Sequence, residues 1–182
     1  MKLAVPYYSQ FIDVEDPFWM LRACGATSLK MVAEYHKVHV SDIVTLCNEA
    51  KEKGGYDMQN GWIHNYLVHK AEELGLQAHR TEREFPIVDE IIASLQVGNP
   101  VNVSVEKRGL EQKRFHRLVI VGYEEGGEDN SATEEFQLKP SHGFYYHEPE
   151  STDKNRGQYR FCDVETFKEY WRGKAIFVTK VV

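Results

Sequence analysis

Apolar residues in the first half of the chain repeat at the spacing of an α-helix. In three segments they lie three or four positions apart and so share one face of a helix. The predicted helices run from Gly25 to about Lys37, from about Trp62 to Leu74, and from just after Pro86 to Gly98. Asn60 is a candidate cap for the second helix, and Gly75 is expected to end it because glycine tolerates the left-handed backbone conformation that follows many helices.

The period changes to two in the second half of the chain. Val101, Val103 and Val105 alternate with polar residues, and an apolar run follows over residues 116–123, so both segments are predicted strands. Further strands are expected over residues 143–147, 158–161 and 175–181, with a short helix over residues 164–171 capped by Asp163. The predicted fold class is therefore α+β, with helices first and an antiparallel sheet after them.

Length and composition indicate one folded domain over residues 1–182. The chain is 42% hydrophobic and 27% charged, which lies in the range of globular proteins. A chain of this size buries enough apolar surface to fold without disulfides or a structural metal. No internal repeat and no segment rich in Pro, Gly or Ser divides it.

The charge pattern excludes some partners. The net charge is −6, and Lys and Arg are scattered without a basic stripe, so nucleic acid is not an expected partner. No apolar stretch reaches 18 residues, and the first residues lack the pattern of a signal peptide, so we expect a soluble, cytoplasmic protein with no membrane partner. The acidic segment 124–135 is interpreted as a solvated loop between strands.

Cys24 is the first candidate for chemistry. The three cysteines, Cys24, Cys47 and Cys162, show no Cys-x-x-Cys pairing of a zinc or redox motif, and at least one thiol is expected to be free. Cys24 lies where an irregular segment turns into a helix of small residues. Unpaired backbone N–H groups and the positive end of the helix dipole stabilise a thiolate at such a position.

His116 is the best candidate for a general base, because it begins a predicted strand that would fix its imidazole ring. His36, His39, His69 and His79 lie in polar contexts that favour exposure. Glu148 ends a predicted strand just before Pro149 and is the candidate that orients the imidazole of His116.

An ordered set of motifs then resembles the stand-alone relatives of the bacteriocin-processing, double-glycine-leader cysteine peptidases, within the papain-like superfamily. The segments that carry this resemblance are Val5–Gln10, Trp19–Ser28, Gly54–Asp57 with Gly61-Trp62, Gly98–Val105, and His116–Tyr123. The resemblance covers nearly the whole chain and is weakest in the acidic segment and around residues 139–142. The family usually has Asp where this chain has Glu148, and His116 follows Cys24 more closely than in papain itself.

The resemblance implies a papain-like fold with an N-terminal helical lobe and a C-terminal sheet lobe. It implies that Cys24 attacks a carbonyl, that His116 transfers the proton, and that Glu148 orients the imidazole. The side-chain amide of Gln10 and the backbone N–H of Cys24 would bind the oxygen of the tetrahedral intermediate. The expected substrate is a peptide or an amide-containing small molecule, and no cofactor is required.

Three other functions remain open at this point. A metal enzyme is disfavoured because His64 and His69, the nearest pair of histidines on the second predicted helix, do not share a face of it. A binding module that keeps the peptidase fold without its activity is the main alternative, and Glu148 in place of Asp leaves room for it. The third is acyl transfer to or from a molecule that is not a peptide, by the same residues.

Overall fold

The computed structural model describes residues 1–84, 87–107, 114–125 and 142–181. Helices dominate the first half of this part of the chain, as the apolar periodicity predicts. The helices are α1 (Pro17–Met20), α2 (Cys24–Tyr35), α3 (Ile43–Glu52), α4 (His64–Glu73), α5 (Asp89–Gln96), α6 (Lys154–Gly157) and α7 (Val164–Tyr170).

The strands form a two-stranded ribbon and a larger sheet. They are β1 (Tyr56–Asp57), β2 (Gly61–Trp62), β3 (Leu76–Glu82), β4 (Val101–Lys107), β5 (Arg114–Glu124), β6 (Gly143–His147), β7 (Arg160–Asp163) and β8 (Trp171–Lys180). Strands β1 and β2 pair with each other, and the described strands of the large sheet run in the order β3-β8-β4-β5-β6-β7. Every pairing in both sheets is antiparallel, so the predicted fold class is confirmed.

Two apolar cores flank the large sheet. Helices α2, α3 and α4 pack on one face, where Val119, Val121 and Ile176 contribute to the core. Helices α5 and α7 cover the opposite face, to which Ile120 and Phe144 contribute. This alternation along β5 buries both faces of a central strand, which explains its nearly continuous apolar run.

Several local predictions were wrong at their edges. Asn60 does not cap α4, because its backbone and side chain donate to Asp57 in the β1–β2 turn, and the helix starts after Ile63. Strand β3 was not predicted because its residues are mostly polar, which suits an edge strand. Strand β8 begins already at Trp171, ahead of a register shift, and β7 lies two residues beyond its predicted start.

His36 also differs from its prediction. Its side chain is buried at the end of α2, and its Nε2 lies 3.1 Å from the carbonyl oxygen of Val178. His39, His69 and His79 are exposed as expected. Most of the predicted acidic loop lies outside the described residues.

Within the described residues, no helix combines the length and the apolar composition that crossing a membrane requires.

Candidate active site

Cys24 is the first residue of α2, and its surroundings are fixed by Trp62 on β2. The indole Nε1 of Trp62 donates a 2.7 Å hydrogen bond to the carbonyl oxygen of Arg22. A Cβ atom on Gly25 would lie 2.3 Å from Cδ2 of Trp62. The glycine that follows Cys24 is therefore required for the indole to pack against the start of the helix.

His116 lies on β5 with only 4% of its surface exposed. Its Nε2 is 2.5 Å from Oε1 of Glu148, whereas its buried Nδ1 has no hydrogen-bond partner among the described residues and is left for the nearby thiol of Cys24. Burial by itself disfavours a charged imidazole. The Glu148 carboxylate and Cys24 outweigh this effect and hold the pKa of His116 well above its ordinary value. The arrangement favours an imidazolium at neutral pH.

Glu148 is held by contacts at both ends of the residue. Its Oε1 also accepts a 2.9 Å hydrogen bond from the backbone N–H of Glu150, and its carbonyl oxygen accepts one of 2.7 Å from the hydroxyl of Tyr7. Burial raises the pKa of its carboxyl group, but His116 more than offsets this, so the net shift is downward. The extra methylene relative to Asp thus does not prevent the expected contact with His116.

Gln10 is fully buried at the same end of the sheet. Its backbone N–H donates to the carbonyl oxygen of Pro149 at 2.8 Å, and its Nε2 donates to that of Met20 at 2.8 Å. The same Nε2 lies 3.4 Å from Oε1 of Glu150. The amide of Gln10 is therefore close to the catalytic candidates, but here it faces groups of the chain itself.

Glu150 is a site residue that the sequence analysis missed. Its Oε1 lies 3.6 Å from Nδ1 of His116, and its Oε2 forms an ion pair with Lys107. The carboxylate thus lies beside both the imidazole and the amide of Gln10. The only signal in the sequence was its position two residues after Glu148, in a segment that turns so that the backbone N–H of Glu150 donates to Oε1 of Glu148.

A cleft of about 790 Å³ opens beside Cys24 and His116. Among the described residues that line it, seven are Arg or Lys and two are Glu. We call it the basic cleft, and its cationic lining residues are Arg22, Arg80, Lys107, Arg114, Arg117, Arg172 and Lys174. The scattered cations of the sequence are therefore brought together by the fold, which no local pattern predicted.

The other two cysteines lie elsewhere. Cys47 on α3 is fully buried, and burial raises the pKa of its thiol strongly. Cys162 on β7 is partly exposed, with its Sγ 3.5 Å from the carbonyl oxygen of Asp163. Neither lines the basic cleft.

Comparisons with known proteins agree with the motifs of the sequence. The model of the Peptidase_C39 like family matches residues 2–175. No curated protein sequence matches the chain. Among solved structures, a double glycine motif protease from an AMS/PCAT transporter, in complex with the leader peptide, aligns with a TM-score of 0.59 and 18% identity, over 99% of this chain and 94% of that one.

A second solved structure is similar to the same extent. It is the peptidase domain of Streptococcus ComA, a bi-functional ABC transporter involved in a quorum sensing pathway. It aligns with a TM-score of 0.57 and 18% identity, over 88% of this chain and 93% of that one. At this identity the two structures establish the shared fold.

Proposed function

Because this chain belongs to the Peptidase_C39 like family, we propose that it is a cysteine peptidase-like hydrolase. In this proposal Cys24 is the nucleophile and His116 the general acid and base, while Glu148 orients the imidazole and Gln10 helps to bind the oxyanion. The observation that carries it is the position of the buried His116 ring, with Glu148 at Nε2 and Cys24 beside it.

The electrostatics of the ring support nucleophilic attack by a thiolate. An imidazolium held by the Glu148 carboxylate stabilises the negative charge on the adjacent sulfur. The start of α2 adds the positive end of a 12-residue helix dipole at the same sulfur. Both features place positive charge beside the sulfur that attacks a carbonyl carbon.

The same arrangement supplies the proton at each step. His116 protonates the leaving amine as the tetrahedral intermediate collapses, and a thioester on Cys24 remains. Acylation removes the thiolate, which is one of the groups that raise the pKa of His116. The neutral ring that remains after protonation of the amine is therefore favoured in the acyl-enzyme. It then takes a proton from water, and the resulting attack on the thioester releases the acid and restores the thiol.

A peptide is the substrate class that we propose. The fold is that of a protease solved in complex with a leader peptide, and the cleft beside Cys24 has the volume to hold several side chains. Amide hydrolysis of a smaller molecule and acyl transfer to an amine use the same residues and remain within the proposal.

The position of Glu150 favours a second candidate, a binding module with altered or lost activity. Its carboxylate lies beside the amide of Gln10 and the imidazole of His116, where it competes with a developing oxyanion. Such a protein would bind peptides in the cleft without cleaving them.

Labelling with iodoacetamide at about pH 6, with the modified residue mapped by mass spectrometry, tests the proposed nucleophile. We expect Cys24 to react much faster than Cys162, which is also partly exposed but lies on β7 outside the cleft. Equal labelling of the two in the folded protein would remove the main support for catalysis. Loss of peptide hydrolysis in Cys24→Ser, with unchanged thermal stability, then separates an enzyme from a binding module.

A further inference from the structure

The basic cleft carries a charge opposite to that of the whole chain. Its seven Arg and Lys residues face two Glu residues among the described lining, whereas the complete sequence has a net charge of −6. A concentration of one sign of charge in a concave site attracts ligands of the opposite sign and raises their local concentration.

Strand register assembles the central cations of the basic cleft. Ser104 on β4 is opposite Arg117 on β5 and opposite Lys174 on β8, and its hydroxyl accepts a 3.2 Å hydrogen bond from Nη1 of Arg172. Three cations from two strands therefore surround one small side chain. Of the two lining carboxylates, Glu82 pairs with Lys174 and Arg80, so it does not neutralise Arg117.

Arg117 is the residue whose unsatisfied donor indicates a ligand contact in the cleft. It is only 3% exposed, and its Nη1 donates a 2.7 Å hydrogen bond to Oδ1 of Asn102. Its Nη2 is buried and has no hydrogen-bond partner among the described residues. Burial lowers the pKa of Arg117 to about 10, so the guanidinium remains charged at neutral pH. A buried charge with an unsatisfied donor is costly unless an acceptor completes it.

His64, at the start of α4, is also affected by the positive charge of these residues. It lines the basic cleft, and burial together with Arg117, Lys174 and Arg172 lowers its pKa to about 3. The ring is therefore neutral at physiological pH. It offers a polar contact to a ligand without adding to the charge of the cleft.

We propose that the basic cleft binds carboxylate side chains of the substrate, so that the peptide attacked by Cys24 is an acidic one. Nη2 of Arg117 would donate a hydrogen bond to one carboxylate near the scissile bond, and Arg172 would pair with another. Two lining carboxylates do not balance seven cations, and the excess of positive charge is more than a single terminal carboxylate neutralises, so a segment with more than one Asp or Glu fits the cleft best. This inference rests on the proposed function, because it assumes that the peptide reaches Cys24.

Two alkylating agents of equal size and different charge test this without a known substrate. The rate of modification of Cys24 by iodoacetate is divided by the rate with iodoacetamide, and the ratio is compared with that of free cysteine. We expect a higher ratio in the protein, and a fall as salt is added, because the attraction is screened. A ratio equal to that of free cysteine would overturn the proposal.

Variants separate the cleft from His116, whose imidazolium also attracts iodoacetate. Arg117→Gln and the pair Arg172→Gln with Lys174→Gln should each lower the ratio by roughly threefold or more, with His116 intact. If Arg117→Gln does not fold, the ratio measured for the double variant at Arg172 and Lys174 tests the proposal. Arg156→Gln removes a charge from a side chain that is 87% exposed and outside the basic cleft, and should leave the ratio unchanged.

The two hypotheses fail in different ways in this experiment. Slow iodoacetamide labelling of Cys24 in the wild type would count against the proposed nucleophile, whatever the ratio. An unchanged ratio in the double variant would overturn the acidic-peptide proposal, even if Cys24 reacts fast with iodoacetamide.

Discussion

Oε1 of Glu148 lies 2.5 Å from Nε2 of His116, with both side chains largely removed from solvent. In such a pair each partner supports the charged form of the other, and its consequences are measurable in both reactivity and stability.

Replacing Glu148 by Gln should slow the reaction of Cys24 with iodoacetamide at about pH 6 by roughly tenfold or more, which corresponds to about 1.4 kcal/mol of support lost from the imidazolium beside the thiolate. Gln keeps the shape and a hydrogen bond but removes the charge that opposes burial of the imidazolium. Glu148→Asp keeps the charge and should retain part of the reactivity. An unchanged rate in Glu148→Gln would mean that another residue, or none, orients His116.

The same pair predicts how stability depends on pH. The raised pKa of His116 contributes stability that is complete below its unfolded value of 6.5 and is lost as the pH rises toward the folded pKa. The lowered pKa of Glu148 contributes stability that is complete above its unfolded value of 4.5 and is lost as the pH falls through the folded pKa. The difference in unfolding free energy between wild type and Glu148→Gln should therefore be largest between pH 4.5 and 6.5. Urea unfolding at a series of pH values measures it, and a difference independent of pH would contradict an ion pair.

For Gln10→Ala, we expect kcat for an acidic peptide substrate to fall by about 10² to 10³, with little change in KM, the scale of losing one oxyanion donor. Because Gln10 is fully buried, the variant should also lose stability. Thermal unfolding is measured alongside, and activity is compared at a temperature where both proteins are folded. Full kcat in the folded variant would leave Gln10 with a structural role only.

Glu150→Gln should raise kcat/KM, because the carboxylate that lies 3.4 Å from the amide of Gln10 would no longer repel a developing oxyanion. It also releases Lys107 from its ion pair, which adds a free cation to the basic cleft. Glu165→Gln, at an exposed position of α7, is the matched control and should have no effect. A loss of activity in Glu150→Gln would assign Glu150 a supporting role in catalysis instead.

The sequence predicts those parts of the site that depend on short segments of the chain, and not those that depend on how distant strands pair. The helix that begins at Cys24 and the strand that carries His116 follow from short periodic patterns, and Glu148 was found from its place at the end of a strand before Pro149. Arg117 could be recognised as a strand residue but not as part of a cluster. The cluster depends on the register of β4 with β5 and β8, and a shift of one residue would turn Ser104 away from Arg117.

Gly25→Ala should be among the most disruptive single substitutions near the site, although Ala is the better helix former. The new Cβ would lie 2.3 Å from Cδ2 of Trp62, and the buried indole is held by its hydrogen bond to Arg22, so it cannot simply swing away. Either the indole or the start of α2 must move, and overpacking of this kind costs about 1 to 3 kcal/mol. Since Cys24 precedes Gly25, a shift of the helix should also slow alkylation of Cys24 at about pH 6.

Two further variants show whether contact with Trp62 is the cause. Ala33→Gly, in the same helix, should cost about 1 kcal/mol from propensity and any lost packing, and should leave the alkylation rate of Cys24 unchanged. Trp62→Leu makes room for the added methyl group, so Gly25→Ala should cost less in that background than in the wild type. Unfolding free energies of the four proteins of this cycle measure the coupling. If Gly25→Ala costs the same in both backgrounds, the requirement for glycine after Cys24 has a different origin, such as the backbone conformation at the start of α2.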